Sequence, residues 1–213
     1  CGGGRNSYWA CRYGSSGGLA IDLDDRTLEA ARRALAEWPA VEVRKASAYD
    51  IGERDRFDIV FSIGVLHHLE RPEQALAEMM AAAKPGGKVL IWVYGAENNE
   101  WIKNFVDPVR NRVLSRMPVS SVHWLSLMPT MLLWLGLRLG WSRTAYLRQI
   151  RRFRFSHLRS IVFDQMLPKI SHYWTEAEVR SLMTQARLVE IDTAWVNEVS
   201  WCAVGRKPAH TER

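Results

Sequence analysis

Residues 18–38 read GLAIDLDDRTLEAARRALAEW, a short apolar run followed by a helical pattern. The apolar run ends at Asp22, and Asp24 stands where a helix N-cap is expected. Beyond it, Leu28 and Ala31 recur at the spacing of one helical face. The stretch therefore predicts a β-strand followed directly by an amphipathic helix.

The same alternation of strand and helix continues downstream. It is carried by four segments: the strand-like VEVRKAS (41–47), the apolar strand FDIVFSIG (57–64), the helix RPEQALAEMMAAA (71–83), which stops at KPGG, and the apolar strand KVLIWVY (88–94). Strands that are apolar on both faces and alternate with helices indicate a parallel sheet covered on both sides. The predicted fold class is α/β, with a doubly wound, mostly parallel sheet.

The C-terminal part of the chain is predicted to complete this sheet. The helical pattern TEAEVRSLMTQAR (175–187) opens with a capping box formed by Thr175 and Glu178. Two strand-like runs follow, VEIDTAWV (189–196) and SWCAVGRK (200–207). Only a few residues separate them, so we expect an antiparallel hairpin at one edge of the sheet.

A long segment between these two parts does not continue the alternation, and we interpret it as a helical insertion. The 213 residues, of which 47% are hydrophobic, are enough to bury one sizeable core. The chain thus divides into four parts: an α/β core (1–98), a basic and apolar helical insertion or lid (99–163), the last helix and terminal strands (164–207) and a loose tail (208–213).

Three cysteines, Cys1, Cys11 and Cys202, are scattered along the chain. They are too few for a disulfide framework and too far apart in sequence for a metal site, so we predict no metal. A chain with this cysteine usage and no signal-peptide pattern is expected in a reducing cytoplasm.

Three consecutive glycines lie in CGGGRNSYW, residues 1–9. Glycines in the turn after a strand let main-chain N–H groups approach a ligand closely, and the strand leading into this turn is expected to precede Cys1. Asp22 lies at the distance expected for an acid that binds both hydroxyls of a ribose. The ligand is then a dinucleotide or S-adenosylmethionine. The dinucleotide pattern G-x-G-x-x-G is incomplete, because Ser7 takes the place of the third glycine.

Four motifs stand in the order and spacing of a known family. They are CGGGR (1–5), GLAIDLDDRTLEAAR (18–32), FDIVFSIGVLHHLERPEQALAEM (57–79) and KPGGKVLI (84–91). In these motifs the chain resembles the class I S-adenosylmethionine-dependent methyltransferases of the small-molecule type, which include quinone-biosynthetic members. The resemblance implies a Rossmann-like fold, S-adenosylmethionine as cofactor and methyl transfer as the activity.

The resemblance also implies which residues hold the cofactor. The glycine turn would pass under the methionine part and the sugar, Asp22 would hold the ribose hydroxyls, and Leu23 would lie beside the adenine. Ser47 stands where the family often has an aspartate for the adenine amino group, which should weaken one contact, and Ala48 would offer its main-chain N–H. The complete cofactor set implied is Gly2, Gly3, Gly4, Asp22, Leu23, Ser47, Ala48, Ser62 and Ile63, the last two meeting the methionine amino group.

The acceptor side is expected beyond the strand ends, where FDQMLPKISHYW (163–174) is rich in polar and aromatic residues. We select His172 as the candidate general base, because an imidazole titrates near neutral pH; the alternative is a surface or core histidine with no catalytic role. The predicted substrate-contacting residues are Asp164, Tyr173, Asn197 and Trp201. The pair His67 and His68 is interpreted as packing, with one ring buried and one exposed.

The insertion carries the clue to the acceptor. Ten of the arginines in this chain of net charge +6 lie between Pro108 and Phe163, a span without aspartate or glutamate. The apolar run WLSLMPTMLLWLGL (124–137) is too short and too interrupted by Pro129 to cross a membrane. Together with the basic, aromatic run at 143–159 it favours contact with an anionic membrane surface. A helical lid over the core and a nucleic-acid surface remain as alternatives.

Two hypotheses of different class follow. The first is a methyltransferase that acts on a small, lipophilic or lipid-linked acceptor, at the cytoplasmic side of a membrane and with nucleic acid disfavoured as partner. The second is a catalytically silent methyltransferase-like domain that binds a membrane or a partner protein through its basic insertion.

Overall fold

The computed structural model describes residues 1–209 and contains six strands and nine α-helices in that range. The strands are β1 (Gly18–Asp22), β2 (Val41–Lys45), β3 (Phe57–Ile63), β4 (Ala83–Tyr94), β5 (Val189–Val196) and β6 (Ser200–Arg206). The helices of the core are α1 (Arg5–Arg12), α2 (Asp25–Ala34), α3 (Pro72–Ala82) and α9 (Glu176–Gln185). Those of the insertion are α4 (Asp107–Arg112), α5 (Val119–Leu125), α6 (Leu127–Arg138), α7 (Ala145–Ile150) and α8 (Phe155–Met166).

The strands form two sheets, one of two strands in the order β1-β2 and one of four strands in the order β3-β4-β6-β5. Pairing is parallel for β1 with β2 and for β3 with β4, whereas β6 runs antiparallel to both β4 and β5. The predicted α/β class and the antiparallel C-terminal hairpin are confirmed. The tail beyond residue 209 lies outside the described residues.

The main core lies between the four-stranded sheet and helices α3 and α9. Val89, Ile91 and Val93 of β4 are fully buried, because β4 has a paired strand on either side. The prediction that FDIVFSIG is buried on both faces is wrong. Ile59 and Ile63 of β3 are 60% and 42% exposed, since β3 pairs on one edge only within the described residues.

Local signals set the helix starts as predicted. The Asp24 carboxylate caps α2 by accepting hydrogen bonds from the main-chain N–H and hydroxyl groups of Thr27, at 3.0 and 2.6 Å. Thr175 and Glu178 form the predicted reciprocal capping box of α9. Helix α3 ends at Ala82, one residue before the predicted end, and KPGG is not a separate turn, because β4 already begins at Ala83.

The insertion is helical, as predicted, and buries a small cluster of its own. Leu137 of α6, Ile150 of α7 and Leu158 of α8 are each at most 2% exposed and pack together. Helix α8 continues to Met166, so Asp164 lies in its last turn and not in a linker as predicted. The insertion is therefore a packed helical unit next to the carboxyl ends of β3 and β4.

Candidate functional site

The glycine turn leads directly into α1. Gly2 and Gly4 have φ angles of +53° and +83°, in the left-handed region that glycine adopts without strain. A Cβ at Gly4 would lie 3.0 Å from the Cα of Ala31, whereas a Cβ at Gly2 would meet no atom within 4 Å. The turn thus presses against α2 on one side and leaves open space at Gly2, which fits a main chain that lies close beneath a ligand.

Asp22 lies at the carboxyl end of β1 and closes this turn. Its Oδ2 accepts a hydrogen bond of 2.8 Å from the Gly2 N–H. Its Oδ1 accepts from the N–H groups of Leu23 at 2.8 Å and Asp24 at 3.2 Å. Burial raises the pKa of the Asp22 carboxyl, whereas the hydrogen bonds from the Gly2 and Asp24 N–H groups lower it. The carboxylate stays charged, and because 24% of the side chain is exposed, a hydroxyl group can still approach it.

The remaining adenine-side residues lie at the same edge of the two-stranded sheet. Leu23 is 63% exposed directly after Asp22, as a side chain lying beside a base requires. The main-chain N–H of Ala46 donates to the Asp22 carbonyl at 3.1 Å, which brings the end of β2 next to the end of β1. Ser47 accepts a hydrogen bond from the Tyr49 N–H at 3.1 Å, and Ala48 follows it in the same turn. These residues therefore form one edge with the glycine turn.

Ser62 and Ile63 end β3, and Ile63 is paired with Trp92 of β4. They lie at the carboxyl end of a strand, as predicted, but in the four-stranded sheet and not in the sheet that holds Asp22. The structure thus brings Gly2, Asp22, Leu23 and the Ser47 turn together. The position of Ser62 and Ile63 next to the cofactor stays a prediction.

A cluster of histidine and tyrosine rings lies at the carboxyl ends of β3 and β4. The rings of His67 and Tyr94 stack with centroids 3.8 Å apart, and the rings of His67 and His68 meet edge to face at 4.2 Å. Tyr94 also stacks on Tyr173, at 5.8 Å. The main-chain N–H of His172 donates to the His67 carbonyl at 2.8 Å. This hydrogen bond joins the segment before α9 to the short helical turn that follows β3.

The histidines of this cluster differ in environment. His67 is fully buried, and neither of its ring nitrogens has a hydrogen-bond partner among residues 1–209. Burial, together with His68 and His172, lowers its pKa to about 3. The prediction of one buried and one exposed ring is only half correct. His68 is half-buried and its Nδ1 donates to the Ile170 carbonyl at 2.9 Å, because the segment between α8 and α9 covers it.

His172, the candidate base, has a defined tautomer. Its Nε2 lies 2.9 Å from the carbonyl oxygen of Leu69, and because a carbonyl can only accept, Nε2 carries the hydrogen. The other ring nitrogen, Nδ1, then has a free lone pair in the neutral ring. The ring is half-buried and stacks on Trp174 at 5.4 Å, which fixes its plane. This arrangement is chemically suited to accept a proton at Nδ1.

Two charged residues of the insertion join the cluster, and sequence reasoning missed both. Arg110 is 1% exposed. Its Nη2 forms an ion pair with Oδ1 of Asp107 at 2.8 Å, although the two groups are not aligned as a hydrogen bond. Its Nη1 donates a hydrogen bond to the Gln165 carbonyl at 3.1 Å. The Tyr173 hydroxyl donates to Asp107 at 3.4 Å. Burial raises the pKa of Asp107 even though Arg110 lowers it. Asp107 directly precedes the acid-free span at 108–163, and this position is the one sequence signal that could have drawn attention to it.

The other predicted acceptor residues are placed unequally. Burial raises the pKa of Asp164, and its neighbour Gln165 donates to the Tyr94 hydroxyl at 2.7 Å. The carbonyl of Asn197, in the turn of the terminal hairpin, accepts from the Tyr146 N–H of α7 at 3.1 Å. Trp201 lies on β6, where its Nε1 donates to Glu97 at 3.1 Å. Asp164 therefore adjoins the aromatic cluster, Asn197 binds the insertion, and Trp201 contacts neither through a hydrogen bond.

Residues 1–91 match the family model described as "Methyltransferase domain". A putative methyltransferase of Encephalitozoon cuniculi is 32% identical over 99 residues, which cover 45% of this chain and 43% of that protein. The Arabidopsis thaliana tRNA (carboxymethyluridine(34)-5-O)-methyltransferase is 43% identical over 63 residues, covering 28% of this chain and 16% of the relative. The chain spans less than half the length of the curated relatives that it matches.

A solved structure shares the fold over most of the chain. It is the 1,6-didemethyltoxoflavin-N1-methyltransferase of Burkholderia thailandensis with bound 1,6-didemethyltoxoflavin and S-adenosylhomocysteine, at a TM-score of 0.59 and 16% identity, covering 97% of this chain and 68% of that one. The chain therefore has a Rossmann-like core of the same kind as that methyltransferase. Residues 1–91, somewhat less than half of the chain, are thus similar to methyltransferase domains, which confirms the resemblance seen in the four motifs.

Proposed function

We propose that this protein transfers the methyl group of S-adenosylmethionine to a small, lipophilic acceptor that it meets at an anionic membrane surface on the cytoplasmic side. The single observation that carries the transfer is the Asp22 carboxylate at the end of β1, bonded to the Gly2 N–H and still open to a hydroxyl. In support of this proposal, the stretch that matches the methyltransferase family model, residues 1–91, contains both the glycine turn and Asp22.

The cofactor, when bound, supplies an electrophilic methyl group on a sulfonium. In the proposed site Asp22 accepts hydrogen bonds from the ribose hydroxyls, Leu23 covers one face of the adenine, and the glycine turn allows close main-chain approach. The full contact set proposed is Gly2, Gly3, Gly4, Asp22, Leu23, Ser47, Ala48, Ser62 and Ile63. The protein then has mainly to align an acceptor behind the methyl group and to exclude water.

The proposed acceptor side is the aromatic cluster and its surroundings. His172 accepts the acceptor's proton at Nδ1, while its Nε2 stays bonded to the Leu69 carbonyl. Tyr173 and Asp164 form the adjoining wall. Asn197 and Trp201 belong to the terminal hairpin, and the Asn197 carbonyl binds the Tyr146 N–H of α7, so these two residues would border the acceptor side from the hairpin.

The lipophilic nature of the acceptor is argued from the insertion, which combines ten arginines with exposed apolar side chains. No helix within residues 1–209 has both the length and the apolar character needed to span a bilayer. The tRNA methyltransferase among the relatives favours RNA as the competing acceptor, because arginines also bind phosphate backbones.

The function is tested in two steps. Calorimetry with S-adenosylhomocysteine should show binding at one site per chain, and no binding would leave the silent domain as the better hypothesis. Methyl-labelled S-adenosylmethionine is then offered with a solvent extract of cellular lipids or with purified tRNA. We expect label in the lipid fraction; label in tRNA alone would overturn the lipophilic acceptor while preserving the transfer reaction.

A further inference from the structure

Helix α6 exposes a continuous apolar stripe. The side chains involved are spaced i, i+3, i+4, i+7 and i+11, the period of one helical face, and each is between 45% and 82% exposed. They are Met128, Met131, Leu132, Leu135 and Leu139. An unbroken row of large apolar groups in water is unusual for a protein surface and marks a site of contact with another apolar body.

The stripe is not a result of loose packing of the helix. The opposite face of α6 carries Leu137, which is 2% exposed and packs on Ile150 and Leu158, with Leu133 and Trp134 against the same cluster. The helix therefore has a core of its own and presents its second apolar face outward. A helix that is apolar on both sides needs a second apolar environment.

Two exposed tryptophans flank this stripe. Trp124, in α5, is 70% exposed, and Trp141, after α6, is 76% exposed. Trp141 is held in place by its main-chain N–H, which donates to the Gly136 carbonyl at 2.9 Å, and by its ring, which lies against Gly136. Indole rings with one apolar body and one polar N–H are favoured at the boundary between lipid and water.

A basic depression begins one residue beyond Trp141. It has a volume of about 410 Å³ and is lined by Ser142, Arg148, Arg151 and Arg152. Arg148 is 3.6 Å from Glu198, whereas Arg151 and Arg152 form no ion pair with any residue in the range 1–209. Both are exposed. Guanidinium groups grouped around a hydroxyl are suited to a phosphate oxygen set.

We propose that the stripe of α6 and this arginine depression form one docking surface for an anionic phospholipid membrane. The arginines bind lipid headgroup phosphates, and the stripe with its two tryptophans enters the headgroup and acyl boundary. The positive charge of the arginines favours an anionic partner, and the adjoining apolar stripe favours a bilayer. RNA would bind the arginines through its phosphates but would leave the stripe exposed to water. This inference rests on the proposed function in one respect: the membrane is the source of the acceptor only if the protein methylates a lipophilic molecule.

The test is co-flotation of the whole chain with vesicles, at low and high salt. We expect binding to vesicles of phosphatidylcholine mixed with phosphatidylglycerol, and weaker binding to phosphatidylcholine alone. Arg151→Glu/Arg152→Glu should lower the affinity for anionic vesicles at least about tenfold. The matched control is Arg32→Glu/Arg33→Glu, which makes the same charge change at exposed positions of α2 and should bind as the unchanged chain does.

A second variant tests the apolar part. Met131→Ser/Leu132→Ser removes two members of the stripe without touching the buried face of α6 and should lower binding to both kinds of vesicle. The proposal is overturned if anionic vesicles do not bind at low salt. It is also overturned if Arg32→Glu/Arg33→Glu loses as much affinity as Arg151→Glu/Arg152→Glu. A third contradicting result is displacement of the vesicles by added tRNA at concentrations at which inorganic phosphate does not displace them. Calorimetry with S-adenosylhomocysteine on the same samples separates this failure from failure of the proposed function, because it reports on the cofactor site alone.

Discussion

The main-chain N–H of Gly2 donates a 2.8 Å hydrogen bond to the carboxylate of Asp22, across 20 positions of sequence. This bond joins the glycine turn to the end of β1, where a charged acid lies next to an exposed apolar side chain, Leu23. Recognition of a nucleoside requires such a combination of close main-chain approach and a hydrogen-bond acceptor for the ribose.

We expect Asp22→Asn to weaken S-adenosylhomocysteine binding by about tenfold to a hundredfold, because hydrogen bonds to a charged group contribute about 1.5 to 3 kcal/mol. Isothermal calorimetry at constant pH measures the change. Asp25→Asn is the control, since Asp25 is an exposed acid of the neighbouring helix that pairs with Lys45 at 2.7 Å. Equal affinity of the two variants would remove Asp22 from the cofactor site.

Gly4→Ala should destabilise the fold more than Gly14→Ala. Both positions have positive φ, +83° and +101°, so both variants carry the strain of a left-handed alanine. Only the Cβ at position 4 would approach another residue, at 3.0 Å from the Cα of Ala31. We expect the free energy of unfolding in urea to fall by about 1 kcal/mol more for Gly4→Ala than for Gly14→Ala. Identical losses would show that the turn does not press on α2.

The buried histidine His67 predicts a loss of stability on acidification. Its folded pKa of about 3 lies below the unfolded value of 6.5, so between these values the unfolded chain binds a proton that the folded chain does not. Stability is therefore complete above pH 6.5 and falls as the pH decreases toward 3, by at most about 1.4 kcal/mol per pH unit for this group. His68, whose pKa is also lowered by burial, adds to the same slope.

Urea unfolding between pH 7 and pH 4 measures this slope. His67→Phe keeps a ring that can stack on Tyr94 and should reduce the slope, while His157→Phe, at an exposed histidine of α8, should leave it unchanged. A slope that is the same in both variants would mean that His67 is protonated in the folded protein or that water reaches its ring.

His172→Ala should lower the rate of methyl transfer at saturating cofactor by about a hundredfold, the lower range for loss of a general base. Affinity for S-adenosylhomocysteine should remain within about twofold, because the ring's hydrogen bond goes to Leu69 and not to the glycine turn. The labelled-methyl assay gives the rate and calorimetry gives the affinity. His123→Ala, at an exposed histidine of α5, is the control. A parallel loss of rate and affinity would assign His172 to structure alone.

Short-range features of the structure followed from the sequence. Three of these features depend on residues only a few positions apart and can therefore be predicted from the sequence pattern. They are the N-cap at Asp24, the capping box of Thr175 and Glu178, and the antiparallel β5-β6 hairpin. Asp22 was selected over a longer range, because one helix and one strand set its spacing from the glycine turn.

Burial and long-range contacts were decided by tertiary structure. The apolar letters of FDIVFSIG do not reveal that Ile59 and Ile63 are exposed, because burial depends on which strands pair with β3. The stacking of His67 on Tyr94 and the burial of Arg110 beside Asp107 likewise join segments that the sequence leaves unrelated.

The exposed stripe of α6 shows the same division most clearly. The sequence alone established that residues 124–137 are mostly apolar and are interrupted by Pro129. It does not show whether the apolar side chains face a core or water, because the same sequence pattern is compatible with both. Only the packing of Leu137 against Ile150 and Leu158 decided which face of the helix is buried and which is left outward. Local patterns determine elements because their interactions are local, whereas the surface that a protein offers to a partner exists only once distant elements have packed.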